Sequence, residues 1–353
     1  MQESFHKTSW SFLAAWRFVL ASMVVLGHFF LMVRPDRLAL FRADLLNPTS
    51  AVFGFFLLSG YSIAASLERE QQGFYRRRVL RIWPLYVAAI AFGLVVQSVL
   101  RLSPAHSFLW PLGERTPGAS GWSVLASLLM LQSVVCAPVS FDGPLWSLSP
   151  EWWHYMVAPR LKKLPTAALA LLILASFAAF LWMQPKNAGI DTLANWRLLL
   201  VTSWMWVTGF LYFRLRRTPL GFAVLAFPAT LSLALGKNWG LPLLLTIFVL
   251  TLSTEVRISG WTAKFGNVLG DVSYPLYLFH LPAIMLLLGL GVKNAFVLLA
   301  VPLLLAAAAQ YGIDQPLRSR FAAPKKQRMD GAATNDPSPE LPLNAVTQPE
   351  TGD

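Results

Sequence analysis

An arginine and a histidine stand inside the first apolar run of this sequence, Arg17 and His28 within SWSFLAAWRFVLASMVVLGHFFLMV. They are eleven positions apart. At about 100° per residue, that spacing returns to within roughly 20° of the start, so a helix carries both on one face. Their heights then differ by about 16 Å, half of a hydrocarbon core. Ionisable side chains at such depth face a bundle interior or a wet cavity. An imidazole there can serve as general base or as nucleophile. The pair reads as a polar track rising into a membrane, although one snorkelling arginine and one hydrogen-bonded histidine fit the same residues.

Three other groups are of the right type to join that chemistry. Glu151 lies in FDGPLWSLSPEWWHYMVAP, just after Ser147, Ser149 and Pro150. It can complement a helix N-terminus, orient an imidazole or pair with the imidazolium. Arg76, Arg77, Arg78 and Arg81 fall in YRRRVLRIWPLY. Arg78 and Arg81, three apart, are neighbours on a helix face. Four guanidiniums so close together suit a multiply charged phosphate ligand, and they equally suit anchoring at the inner membrane edge. In GDVSYPLYLFHLPA, Asp271 comes first and Tyr274, Tyr277 and His280 follow at intervals of three. That interval puts them on one side of a helix that Pro275 and Pro282 can kink; aromatic packing around one buried histidine is the competing reading.

The elements that must hold these groups are membrane helices. The 353 residues are 56% hydrophobic with a mean hydropathy of +0.53, and only 13% are charged. A soluble chain carries about a quarter charged residues. Apolar runs of about 18 residues recur along almost the whole length, which predicts an all-α, polytopic bundle forming one domain. The net charge of +12 comes from short basic loops between apolar runs, so it marks cytoplasmic loops and speaks against nucleic acid as a partner. Cys136 is the sole cysteine, so neither an intrachain disulfide nor a cysteine metal cluster is expected. The first run is too long for a cleaved signal and reads as a retained span.

Spans are predicted at about residues 9–33, 49–67, 82–100, 145–160, 166–184, 196–213, 219–235, 241–253, 269–291 and 295–313. Arg214, Arg216, Arg217, Arg257, Lys264, Arg318 and Arg320 alternate with Lys237, Asn238 and Lys293 as the positive-inside rule requires. Residues 34–48 and 101–121 are expected outside. The stretch 122–135 is short, and parity assigns it to the outer interface or a re-entrant turn. The expectation is about ten spans with both termini cytoplasmic, a membrane domain over 1–321 and a disordered cytoplasmic tail over 322–353. The small residues Gly54, Ser59, Gly60 and Ser62 in FGFFLLSGYSIA allow close helix packing, the role preferred for Gly54.

No Walker-type glycine loop, HExxH motif, His/Cys cluster or GxSxG elbow is present, so no metal site is expected. The Arg17–His28 spacing, followed in order by FFLLSGY, YRRRVLRIWPLY, WSLSPEWWHY and SYPLYLFH, resembles acyltransferase family 3, the integral-membrane O-acyltransferases of bacterial surface sugars. The ordered set covers residues 17–280. The resemblance implies an acyl-CoA donor, usually acetyl-CoA, on the cytoplasmic side. It implies a glycan or lipid-linked sugar hydroxyl as acceptor from the outer side, and the bacterial cytoplasmic (inner) membrane as location. It assigns catalysis to Arg17, His28 and Glu151, and donor binding to Arg78 and Arg81. Arg77 and Tyr86 flank the arginine block; Arg77 is counted with the donor-binding group without a chemical role. Ser59, Tyr61, Trp146, Ser147, Tyr274, Tyr277 and His280 are the further candidates in the matching blocks. Some relatives carry a secreted hydrolase-like domain after the last span. This chain looks like the stand-alone kind, which completes transfer itself, as a homodimer, or with a separate partner acyltransferase. A transporter or flippase using the buried charges as a translocation path is the competing function.

Overall fold

The structure is a computed structural model and describes residues 8–33, 47–102, 107–109, 115–183, 196–234 and 240–321; every structural statement below concerns these. Helix α1 spans Trp10–Val33, α2 Pro48–Arg69 and α3 Phe74–Val99. A two-stranded antiparallel ladder pairs β1, Ser107–Leu109, with β2, Arg115–Pro117. Then come α4 Gly121–Leu128, a 3₁₀ helix Ser140–Ser147, α5 Leu148–Leu161, α6 Thr166–Met183, α7 Arg197–Leu215, α8 Pro219–Ala234 and α9 Leu241–Leu252. The chain continues through α10 Gly260–Gly289 and α11 Ala295–Ala309, a π turn Gln310–Asp314, and α12 Gln315–Phe321. The expectations for residues 1–7, 34–46, Lys237, Asn238 and the tail 322–353 with Lys325, Lys326 and Arg328 lie outside the described residues.

Seven helices among the described residues are long and apolar enough to cross a bilayer: α1, α2, α3, α6, α7, α10, and α11 with its continuation to Phe321. Helices α8 and α9 are apolar but shorter, and α5 has 14 residues. The chain is a multi-pass membrane helix bundle. Helix α4 has eight residues, too few to cross, in keeping with parity.

Two helix starts differ from expectation in a way that matters for the site. Helix α3 begins at Phe74, where Gly73 at φ 67° supplies the left-handed turn. The arginines from Arg76 to Arg81 are therefore in the first turns of the helix, which starts ahead of the span expected from about residue 82. Helix α10 begins at Gly260 and runs for 30 residues. Its polar first turns hid this start from an apolar-run reading.

The bundle ends are tied at one pole by basic side chains. The Arg76 guanidinium donates to Phe321 O, Lys162 Nζ to Leu67 O, and Arg214 to Leu164 O. These bonds gather the end of α2, the start of α3 and the ends of α5, α7 and α12 into a basic pole.

Between membrane helices burial offers little hydrophobic drive, so close approach through small residues takes its place. On α10, an added Cβ at Gly266 would lie 2.6 Å from Ser11 O and one at Gly270 2.5 Å from Ala14 Cβ. Helices α1 and α10 thus touch backbone to backbone and run in the same direction. Gly60 on α2 and Gly209 on α7 play the same part reciprocally: a Cβ on either would overlap the Trp206 or the Leu57 carbonyl. Gly54 has the expected packing role, against Thr246 and Leu20.

Candidate functional site

A cavity of about 620 Å³ lies among α1, α2, α3, α5 and α10. Its rim is at the basic pole, where the exposed Trp10, Arg69, Asn267 and Asp271 line it. From there it runs inward past Arg17, Arg78, Arg81 and Glu151 to Ser147 and Tyr277, both buried.

Four arginines face two carboxylates in this space, and two of the arginines, Arg17 and Arg78, are held by neutral groups. Arg17 Nη2 donates to Ser62 Oγ at 2.6 Å, and Arg78 Nη2 to Ser66 Oγ at 2.8 Å. The Arg78 guanidinium also lies 5.4 Å from the Phe74 ring centre and 5.9 Å from that of Tyr155. Among the described residues Arg81 makes no hydrogen bond or ion pair. Ser59, Ser62 and Ser66 share one face of α2, as spacings of three and four require. Ser62 and Ser66 supply the hydroxyls that let Arg17 and Arg78 enter an apolar bundle, and Ser59 bonds Glu151 instead.

Glu151 is one turn into α5. Its Oε1 accepts from Ser59 Oγ at 2.8 Å and from Tyr155 Oη at 2.5 Å. Ser59 Oγ in turn accepts from Trp206 Nε1 at 3.2 Å. The carboxylate is thereby anchored to α2 and faces the same cavity as Arg17. Its partners are these hydroxyls and not the His28 imidazole that the sequence suggested for it. One turn of α5 joins Glu151 to Tyr155, and both point toward α2 rather than toward the far part of α1.

His28 lies beyond the inner end of the cavity and does not line it. The expected single route past Arg17 and His28 is interrupted by Tyr277. That phenol donates to Pro144 O at 2.7 Å and is 2.7 Å from Ser147 Oγ, so it bridges α10 to the 3₁₀ segment. The irregular backbone there, with Asp142 at φ −147° and ψ 66°, brings the Pro144 carbonyl into reach. Behind Tyr277, its ring centre 6.1 Å away, is His280. His280 Nε2 is 3.3 Å from His28 Nδ1.

Arg17, Arg78, Arg81, Glu151, Ser59, Ser147, Tyr274 and Tyr277 therefore line one cavity, with Tyr274 donating to Ile82 O at 3.1 Å. His28 and His280 form a second group next to its closed end. Arg77, Tyr61 and Trp146 belong to neither. Arg77 turns outward to Glu70 at 3.1 Å and to the Glu70 and Gln72 carbonyls. Tyr61 is within 2.7 Å of Thr8 Oγ1 and packs on Tyr212 and Phe213. Trp146 packs on Phe56. Ser66, Arg69, Tyr155 and Asn267 are cavity residues that the sequence did not single out, and Ser62, expected to serve helix packing, lines the cavity with them. The serine stripe on α2 and the four-residue step from Glu151 to Tyr155 were the signals for three of them.

Such a site, polar and cationic at one end and closed by a tyrosine with a histidine pair behind it, suits an anionic ligand at its rim. No curated protein and no solved structure matches the chain. The family model described as an acyltransferase domain does match, over residues 10–309. That match takes in every helix that contributes to the cavity and both histidines, and the chain belongs to acyltransferase family 3.

Proposed function

We propose that this acyltransferase moves an acyl group, acetyl in the first instance, from cytoplasmic acyl-CoA to a hydroxyl of a surface glycan or lipid-linked sugar. On this reading it works in the bacterial inner membrane. The observation that carries the reading is the cavity's unbalanced positive charge: among the described residues, Arg17, Arg69, Arg78 and Arg81 face two carboxylates, Glu151 and Asp271. Charge-assisted contacts to phosphate are the strong ones, and guanidinium is the group best matched to them. The phosphates of the donor bind at Arg78 and Arg81, close to the rim. The thioester arm extends past Arg17 toward Tyr277, whose ring must turn aside for the acyl carbon to meet His28.

In the transfer, the acceptor oxygen attacks the thioester carbon while its proton passes to His28. The carbon–sulfur bond breaks, and the leaving thiolate takes that proton back from the imidazolium. If His28 instead carries the acyl group, its nitrogen bonds to the thioester carbon as the carbon–sulfur bond breaks; the acceptor oxygen then displaces that nitrogen, and the acceptor's proton passes by way of the regenerated imidazole to the CoA thiolate. General-base assistance of this kind is worth about 10² to 10⁴ in rate. Glu151 acts on the cavity side, where its charge offsets that of Arg17.

The test is purified protein in lipid nanodiscs with radiolabelled acetyl-CoA and a membrane extract as acceptor. Label should leave CoA and enter the extract, and His28→Ala should abolish this while CoA binding persists. Near-normal transfer by His28→Ala would remove the assignment. A transporter or flippase would leave the thioester intact in both proteins.

A further inference from the structure

We infer that His280 is a positioning residue for His28: its Nε2 accepts from the same Nδ1–H that the Val24 carbonyl holds, and so orients the ring whose Nε2 is the basic atom. This rests on the reading of His28 as base or acyl carrier. The geometry on both sides of the pair sets the protons. His280 Nδ1 is 2.9 Å from the Tyr277 carbonyl oxygen, which only accepts, so Nδ1 carries the hydrogen. In the neutral ring that leaves Nε2 as an acceptor. His28 Nδ1 is 2.9 Å from the Val24 carbonyl oxygen, so it too carries its hydrogen. That hydrogen is shared between Val24 O and His280 Nε2 at 3.3 Å. Two backbone carbonyls, one from each helix, thus write the same tautomer into both rings. The basic atom of His28 is Nε2.

The arrangement does for His28 what a buried carboxylate does for a catalytic histidine, without importing a charge into the bundle. When His28 Nε2 receives the acceptor's proton, or bonds to the acyl carbon, the ring becomes cationic and Nδ1–H a stronger donor. His280 Nε2 accepts that charge-assisted bond and loses no proton itself. His280 is fully buried, and its ring centre is 5.2 Å from that of His28. Glycines 266 and 270 let α10 approach α1 closely enough for the rings to meet.

Four proteins in nanodiscs test this: His280→Ala, His280→Gln, His280→Asn and His28→Ala/His280→Ala. Partners that orient metal-bound histidines are worth about 10- to 100-fold, and the same range is expected for this metal-free pair. His280→Ala should lose kcat in that range, with KM for acetyl-CoA within about twofold. Gln reaches the Nε2 position with its amide oxygen and should recover at least tenfold over Ala, whereas the shorter Asn should not. The double variant should be no slower than His28→Ala, since both act through one ring. Equal turnover in Gln, Asn and Ala variants, a loss confined to KM, or wild-type kcat in His280→Ala would each overturn the inference. Should His280→Ala not fold, the Gln against Asn comparison decides alone. Activity retained by His28→Ala would refute the reading of His28 instead, and is read independently.

Discussion

Replacing Arg81 by alanine isolates the ligand's share of the cavity's charge. Arg81 lines the cavity, is partly buried, and makes no hydrogen bond or ion pair among the described residues. Truncation therefore leaves no partner stranded. Arg17 and Arg318 both feel it as a like charge, so its removal relieves repulsion and the unliganded protein should melt no lower than wild type. What is lost is contact with a bound anion. Hydrogen bonds to charged groups contribute about 1.5–3 kcal/mol. At about 1.4 kcal/mol per tenfold, Kd for CoA should rise about 10- to 150-fold. Arg81→Lys keeps the point charge but not the planar fork, so it should fall between the two. Isothermal titration of CoA into nanodisc-held protein reads Kd, and a melting curve reads the stability. An unchanged Kd for Arg81→Ala would refute the placement of the donor phosphates at this end. A lower melting point would show that Arg81 has a structural partner after all.

Further outcomes follow from neighbouring residues. Arg77→Ala should leave Kd for CoA within about twofold, because that guanidinium is spent on an exposed Glu70 pair worth about 0–1 kcal/mol; titration checks it. Glu151→Ala should lower thermal stability more than Glu151→Gln, because alanine leaves the Ser59 and Tyr155 hydroxyls without their shared acceptor, at about 1–3 kcal/mol. Both variants should slow transfer, since each removes the charge facing Arg17; equal turnover to wild type would leave Glu151 a purely structural anchor. Gly209→Val should force α7 away from the Leu57 carbonyl, an overpacking cost of about 1–3 kcal/mol visible as a lower melting point and a broadened size-exclusion peak.

The membrane bundle was legible in the sequence because apolar runs of span length are a compositional signal that needs no tertiary information. The arginine pair on α3 was legible for the same kind of reason: Arg78 and Arg81 are neighbours by spacing alone. The starts of α3 and α10 were not, because polar residues in their first turns break the apolar run; that of α3 is also tied to Phe321 through Arg76. The partner of Glu151 was hidden as well. Choosing between His28 and the Ser59–Tyr155 hydroxyls depends on where α5 meets α2, which spacing within one segment does not encode. His280 was visible as one of three residues on a face. That its ring meets His28 depends on Gly266 and Gly270, whose function appears only when α1 is laid against them.

The Tyr277 bridge has a consequence for the membrane as a whole. On the proposed function, a bundle that takes a water-soluble anion from one face and an alcohol from the other has the makings of a leak for protons and salts. With its phenol tied to Pro144 and Ser147, Tyr277 acts as a septum of one side-chain thickness. On the proposed function, only a group as small as the acyl unit would have to pass it, so the nucleotide would stay in its compartment and the electrochemical gradient would be spared at each turnover.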